Sequence, residues 1–104
     1  MIVRYSATAR RQLAEIWRFS RRRWGEARAD RYIASLYETV RLIAQGSKRP
    51  KPCPEIHPGM NSVRAGSHNL YFALEASGDL LHVVAILHQR MEPLRRVRKA
   101  LKEE

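Results

Sequence analysis

The sequence predicts an α+β fold: an N-terminal strand, an antiparallel helix hairpin packed on one face of a small antiparallel sheet, and a short C-terminal helix. Three observations predict it. Two stretches in the first half carry apolar residues at helical spacing and meet at Gly25. The stretch after Gly59 alternates apolar and polar residues around a Gly66-Ser67 turn, as paired strands do. A final run from Pro93 returns to helical spacing. With 104 residues the chain suffices for one domain, 1–104, and a single modest core.

Ile2 to Tyr5 is β-branched and aromatic, which suits a short strand. Ser6 stands at an N-cap position, where its hydroxyl can accept from a free N–H of the first turn. Ala9, Leu13, Ile16, Trp17 and Ser20 then share one helical face, and Trp24-Gly25 ends the helix because glycine tolerates the left-handed closing conformation. Glu26 opens a second helix favourably against the helix dipole. Ala29, Ile33, Leu36, Val40 and Ile43 form its apolar seam, and Gly46 ends it. The short link at Gly25 makes the pair an antiparallel hairpin. Residues 46–61 are rich in Pro, Gly and Lys and read as a loop within the domain, since proline cannot donate to a helix or a central strand.

The Gly66-Ser67 turn pairs Ala65 with His68, Arg64 with Asn69 and Val63 with Leu70, matching apolar with apolar and polar with polar. A second turn at Ala76-Ser77-Gly78-Asp79 pairs Glu75 with Leu80 and Phe72 with Val83. Strict alternation then puts Val63, Leu70, Phe72, Leu74, Leu81, Val83, Ala85 and Leu87 on the face toward the helices. The other face receives Ser62, Arg64, Asn69, Tyr71, His82, Val84, Ile86 and His88, and something must cover it in part. Leu80 to His88 is apolar on both faces, as a central strand requires. Leu94, Val97 and Leu101 share one side of the last helix, with Arg95, Arg96, Arg98 and Lys99 elsewhere.

The formal net charge of +10 implies an acidic macromolecular partner. It is uneven: residues 1–50 hold 12 Lys/Arg against 4 Asp/Glu, whereas residues 51–90 hold 3 and 3. No apolar run approaches the roughly 20 residues that span a bilayer, so no membrane partner is expected. Met1 to Tyr5 leads into a charged helix without the apolar core of a signal peptide. The single cysteine, Cys53, excludes an internal disulfide and fits a reducing cytoplasm.

The histidines offer no metal site: His82 and His88, six residues apart on one strand, are separated by about 20 Å. Neither a metal, a cofactor nor a small-molecule substrate is expected. Arg64, Asn69, Tyr71, His88 and Arg90 could converge near one end of the open face, with arginines holding a phosphate and His88 as acid or base. The same residues equally describe a solvated polar rim. Arg18-Arg21-Arg22-Arg23 is either an electrostatic footprint or a solvated helix face, and Trp17 either core or part of a docking groove.

Several motifs carry a family resemblance. Pro58-Gly59, Ser62, Gly66-Ser67-His68 and Leu87-His88-Gln89-Arg90-Met91-Glu92 resemble the RelE/ParE toxin superfamily, and the ParE branch most closely. Tyr5-Ser6, Ala9, Leu13, Ile16, Gly25, Ala29 and Tyr32 fit the same pattern at the N-terminal end. Asn61 stands where an arginine often precedes the serine, and Glu92 where an aspartate is usual.

The resemblance implies the toxin of a type II toxin–antitoxin pair, inhibiting DNA gyrase without catalysis and neutralised by a ParD-like antitoxin of ribbon-helix-helix type. An acidic amphipathic antitoxin segment would meet Trp17, Arg18, Arg22 and Arg31. The target would meet Arg64, Tyr71, His88, Arg90 and Met91. Two alternatives stand beside it: a RelE-like ribosome-dependent mRNA endonuclease, and an inactive relic that binds antitoxin and tunes its own operon. In the RelE branch the catalytic tyrosine would fall near Arg95 and Arg96, yet no tyrosine follows Tyr71.

Overall fold

The computed structural model describes residues 1–75 and 77–103. In chain order the elements are β1 (Ile2–Tyr5), α1 (Ala7–Trp24), α2 (Glu26–Ala44), β2 (Lys51–Pro52), β3 (Met60–Ala65), β4 (His68–Leu74), β5 (Leu80–His88) and α3 (Pro93–Lys102). They build a five-stranded sheet of order β1-β5-β4-β3-β2.

The helix hairpin forms where the spacing places it. Gly25, at φ +91°, ends α1 and caps α2 in one residue, with its N–H bonded to the Arg21 carbonyl. Ala9 and Ala29 are fully buried, and small side chains there let the helices and sheet approach closely. Leu13, Leu36, Val40 and Ile43 bury against Val63, Leu70, Phe72, Leu81 and Val83.

The Gly66-Ser67 hairpin has the expected register, and so does the inner part of the next one: Phe72 pairs with Val83, and the Glu75 N–H bonds the Leu80 carbonyl. Of the turn between them, Ala76 lies outside the described residues. Two features of the sheet differ from expectation. β1 pairs parallel with β5, Ile2 with Leu80 through Tyr5 with Val83, so the sheet is dominated by antiparallel pairs but mixed. Within the proline-rich 46–61 segment, Lys51 and Pro52 form the edge strand β2, paired with Ser62 and Asn61. Proline is tolerated there because an edge strand can leave one side without donors.

A third difference reassigns the two faces. The β4–β5 register slips between Tyr71 and Phe72, so Tyr71 faces Ala85 and Val84 is the extra residue of a β-bulge. Beyond it the alternation inverts. Ala85 and Leu87, expected beneath the helix hairpin, join Val84 and Tyr71 on the opposite face, while Ile86, expected there, packs with the hairpin core. The covering on that opposite face is α3, which buries Val97 and Ala100 against Val84, Ala85 and Leu87. Leu74, expected in the core, is 42% exposed at the end of its strand.

The bulge is held from α1. β1 ends at Tyr5, so β5 beyond Val83 has no strand on that side. The Ser6 N–H donates to the Val83 carbonyl at 2.9 Å, the Ser6 hydroxyl donates to the Val84 carbonyl at 2.7 Å, and Gln12 Oε1 accepts from the Ile86 N–H at 2.7 Å. The Ser6 oxygen also accepts from the Ala9 N–H as the predicted cap. One buried hydroxyl therefore starts α1 and satisfies a bulge carbonyl 78 residues away. At the other end of α3, Glu103 accepts from the Thr8 hydroxyl at 2.8 Å and pairs with Arg11, tying α3 to the first turns of α1.

Candidate functional site

A groove of about 760 Å³ runs between the hairpin and the ends of β4 and β5. Ile16, Phe19 and Trp24 form its apolar wall, with Met91 at the sheet end. Phe19, Trp24 and Met91 are 54%, 46% and 44% exposed, so the apolar surface is open to solvent. Phe19 meets Trp24 edge to face at 6.2 Å between ring centres, and Trp24 carries the guanidinium of Arg28 at 4.8 Å and that of Arg23 at 5.6 Å. Arg28, Arg31 and Glu15 complete the rim. The groove can take an amphipathic segment: apolar anchors against the wall, carboxylates against the arginines.

Its floor is Tyr32, His68 and His88. The Ser67 N–H donates to the Tyr32 hydroxyl oxygen at 3.1 Å, and the same hydroxyl lies 2.6 Å from His68 Nδ1 and 3.2 Å from the Ser67 hydroxyl. Burial, aided by the neighbouring His88, pulls the His68 pKa down to about 4. The imidazole of His68 therefore joins this bond in its neutral form. This contact explains Gly66. Its φ of +59° favours glycine, and a Cβ there would stand 2.6 Å from the Tyr32 ring. The Gly-x-His motif thus builds the seat of Tyr32.

The target candidates divide between the two sheet faces. His88 stacks edge to face on His68, its cross-strand partner, with ring centres 5.5 Å apart, and faces the hairpin groove with Met91. Arg64 and Tyr71 line a second groove of about 740 Å³ on the α3 side. Arg90 is exposed and lines neither; its N–H donates to His88 Nδ1 at 3.2 Å. The expected convergence of Arg64, Tyr71, His88 and Arg90 therefore fails, because the Val84 bulge turns His88 to the other face. Tyr71 is buried, which raises its hydroxyl pKa.

Among the antitoxin candidates only Arg31 lines the hairpin groove. Trp17, read as core or groove, instead staples the two helices: its indole N–H donates to Asp30 at 2.8 Å, with Arg21 over its ring at 5.6 Å. Arg18 and Arg22 are exposed on α1 outside the groove lining. The sequence assigned none of Phe19, Trp24, Arg28 and Tyr32 to a binding surface: Trp24 entered only as a helix end and Tyr32 only through the family pattern. The signal was present for Phe19, which sits three residues beyond Ile16, one helical turn along the same face. Among the described residues no three His, Cys, Asp or Glu side chains cluster as a metal site would need.

Residues 3–93 match the family described as the ParE toxin of the type II toxin–antitoxin system parDE. The chain belongs to the ParE toxin family. Toxin ParE of Escherichia coli is 37% identical over 97 residues, covering 93% of both chains. Toxin ParE1 of Mycobacterium tuberculosis is 36% identical over 87 residues, 84% of this chain and 88% of that one. Among solved structures, a chain of the chromosomal ParDE system from P. aeruginosa superposes with a TM-score of 0.71 at 17% identity, covering 85% of this chain and 95% of that one. A chain of the RelBE2 toxin–antitoxin complex from Mycobacterium tuberculosis gives 0.60 at 22%, covering 83% and 94%. These two likenesses establish the shared α+β fold. The acid that closes the ParE-like Leu-His-x-Arg-Met run is structural here: the Glu92 carboxylate caps α3, accepting from the Leu94 and Arg95 N–H groups at 2.6 and 3.3 Å.

Proposed function

We propose that this ParE-family toxin arrests growth by inhibiting DNA gyrase in the cytoplasm, and that a ribbon-helix-helix antitoxin neutralises it by laying an acidic amphipathic segment into the hairpin groove. The observation that carries the antitoxin part is the groove itself. Open aromatic surface at Phe19 and Trp24, bordered by Arg28 and Arg31 on a chain of net charge +10, suits apolar anchors flanked by carboxylates. Family membership supports the gyrase part. Against ribosome-dependent cleavage stands α3, which carries no tyrosine among Pro93 to Lys102.

Two measurements test the proposal. Purified toxin should inhibit gyrase supercoiling, and induced cells should filament with a DNA-damage response while bulk mRNA stays intact. Rapid codon-phased mRNA cleavage would replace gyrase with the ribosome as the target. Absence of any growth phenotype would leave an antitoxin-binding relic. For the target surface, Arg90→Ala should change stability by less than about 0.5 kcal/mol, as an exposed side chain should, while lowering toxicity. Full toxicity of that variant would remove Arg90 from the contact.

A further inference from the structure

The histidines at the strand ends have a geometry that antitoxin binding does not call on. Spacing along one strand holds His82 and His88 too far apart to share a ligand, but the β4–β5 register sets a different pair face to face, His68 opposite His88. The Gln89 N–H donates to the Ser67 carbonyl at 2.9 Å. That bonded position lies one residue along, so His68 and His88 form a non-hydrogen-bonded pair, the arrangement that brings facing side chains closest. Their ring centres are 5.5 Å apart. Two imidazoles on one tetrahedral ion, each bound at about 2.0–2.1 Å, have ring centres about 5 Å apart. The backbone therefore holds the two rings near the spacing of paired metal ligands.

Their surroundings leave nitrogens to offer. Both side chains are partly exposed and line the floor of the hairpin groove, so an ion can reach them from solvent. His68 is oriented through Nδ1, which lies 2.6 Å from the Tyr32 hydroxyl. With the proton on Nδ1, the tyrosine oxygen accepts from His68 and from the Ser67 N–H and donates to the Ser67 hydroxyl 3.2 Å away. Every group of that network is then satisfied, and His68 Nε2 carries the lone pair. Metal-ligating histidines are commonly fixed in this way through the other ring nitrogen. The Arg90 N–H donates to His88 Nδ1 at 3.2 Å, a long bond in an exposed turn.

We propose that His68 and His88 together bind one divalent transition-metal ion of the Zn²⁺ and Ni²⁺ class, His68 through Nε2 and His88 once its Nδ1 yields the Arg90 contact. Turning about χ2, a broad torsion in histidine, takes the rings from their 87° crossing onto a shared ion. Glu15 lines the same groove as Arg28 and Arg31, so net attraction of charge does not supply the affinity and coordination must. Imidazole suits Zn²⁺ and Ni²⁺, whereas Mg²⁺ and Ca²⁺ require oxygen ligands. Two imidazoles are fewer than the three or four protein ligands of a resident metal. The site is therefore exchangeable, with its remaining positions open to water. It rests on the strand pair alone and stands whatever the toxin inhibits.

The test is titration calorimetry of the full chain with Zn²⁺ and with Ni²⁺. One ion per chain should bind, and Mg²⁺ and Ca²⁺ should give no saturable heat. His68→Gln and His88→Gln should each weaken binding about tenfold or more. His57→Gln, at an exposed position outside the groove, should change it by less than about twofold. Paramagnetic Ni²⁺ should broaden the ring NMR signals of His68 and His88 before those of His57 and His82, a readout of place that a weakened fold does not reproduce. Equal loss in the His57 variant, or broadening that begins at another histidine, moves the metal off the pair and overturns the proposal. So does the absence of saturable binding by both ions. Should His68→Gln loosen the fold through Tyr32, His88→Gln, which leaves Tyr32 and its bonds in place, carries the comparison.

Discussion

Replacing Ser6 by alanine should destabilise this toxin far more than a helix cap ordinarily accounts for. The side chain is 2% exposed, accepts from the Ala9 N–H at 2.9 Å and donates to the Val84 carbonyl at 2.7 Å. Loss of the cap costs about 1 kcal/mol. Orphaning a buried carbonyl costs about 1–3 kcal/mol more. Together the expected loss is about 2–4 kcal/mol, which for a chain of this size lowers Tm by roughly 10–20 °C. Ser6→Gly separates the two parts, because glycine is nearly as good a cap as serine and leaves only the carbonyl unpaired. Ser6→Thr keeps both bonds and should stay close to the parent. The assay is chemical denaturation with thermal melts on all three variants. If Ser6→Ala loses less than about 0.5 kcal/mol, the range of an ordinary surface change, or if Ser6→Gly matches the parent, the hydroxyl does not hold the bulge.

Other expectations follow from the groove floor and wall. Gly66→Ala should cost about 2–3 kcal/mol in denaturation, combining the left-handed backbone penalty with displacement of Tyr32 from its bonds. His68 binds a proton less readily folded, at about 4 against an ordinary 6.5. Stability should therefore be full above about 6.5 and fall as the pH drops toward about 4, by about 1–2 kcal/mol once half-exposure is allowed for. His68→Gln should flatten that limb of the pH–stability curve. Trp24→Ala should weaken antitoxin binding by about 2 kcal/mol in calorimetry, as truncated aromatic anchors do, with Tm nearly unchanged because the ring is half exposed.

How much of this was legible in the sequence depends on which residues carried information. The helix hairpin was, because Ala29, Leu36, Val40 and Ile43 repeat at helical spacing and all of them bury. The β3–β4 register was too, because polar and apolar residues alternate on both strands and a slip would bury Arg64. The bulge was not. Leu81, Val83, Val84, Ala85, Ile86 and Leu87 are all buried and apolar, so a one-residue slip exchanges one acceptable side chain for another and leaves no mark in the pattern. The misplaced His88 and the false convergence with Arg64 follow from that silence. β1 was visible as a strand but its parallel direction was not, since four residues carry no orientation. β2 was hidden by its prolines. In the grooves, Arg31, Arg64 and Tyr71 came from charge and alternation, whereas the Tyr32–Gly66–His68 contact joins residues more than thirty positions apart and depends on the fold.

The parallel pairing of β1 with β5 has a consequence for synthesis. Ile2 to Tyr5 leave the ribosome first, yet their hydrogen-bond partners are Leu80 to Val83, and Ser6 waits for Val84. α1 and α2 meet through a single-residue link and can associate as soon as both have emerged. The sheet cannot close until the chain is nearly complete, because its outermost strand and its second strand come from opposite ends of the message. A truncated or stalled translation product therefore presents the bare apolar side of a helix pair and no finished sheet. Every copy of this toxin thus passes through a partly made state without the surfaces formed by its last strand.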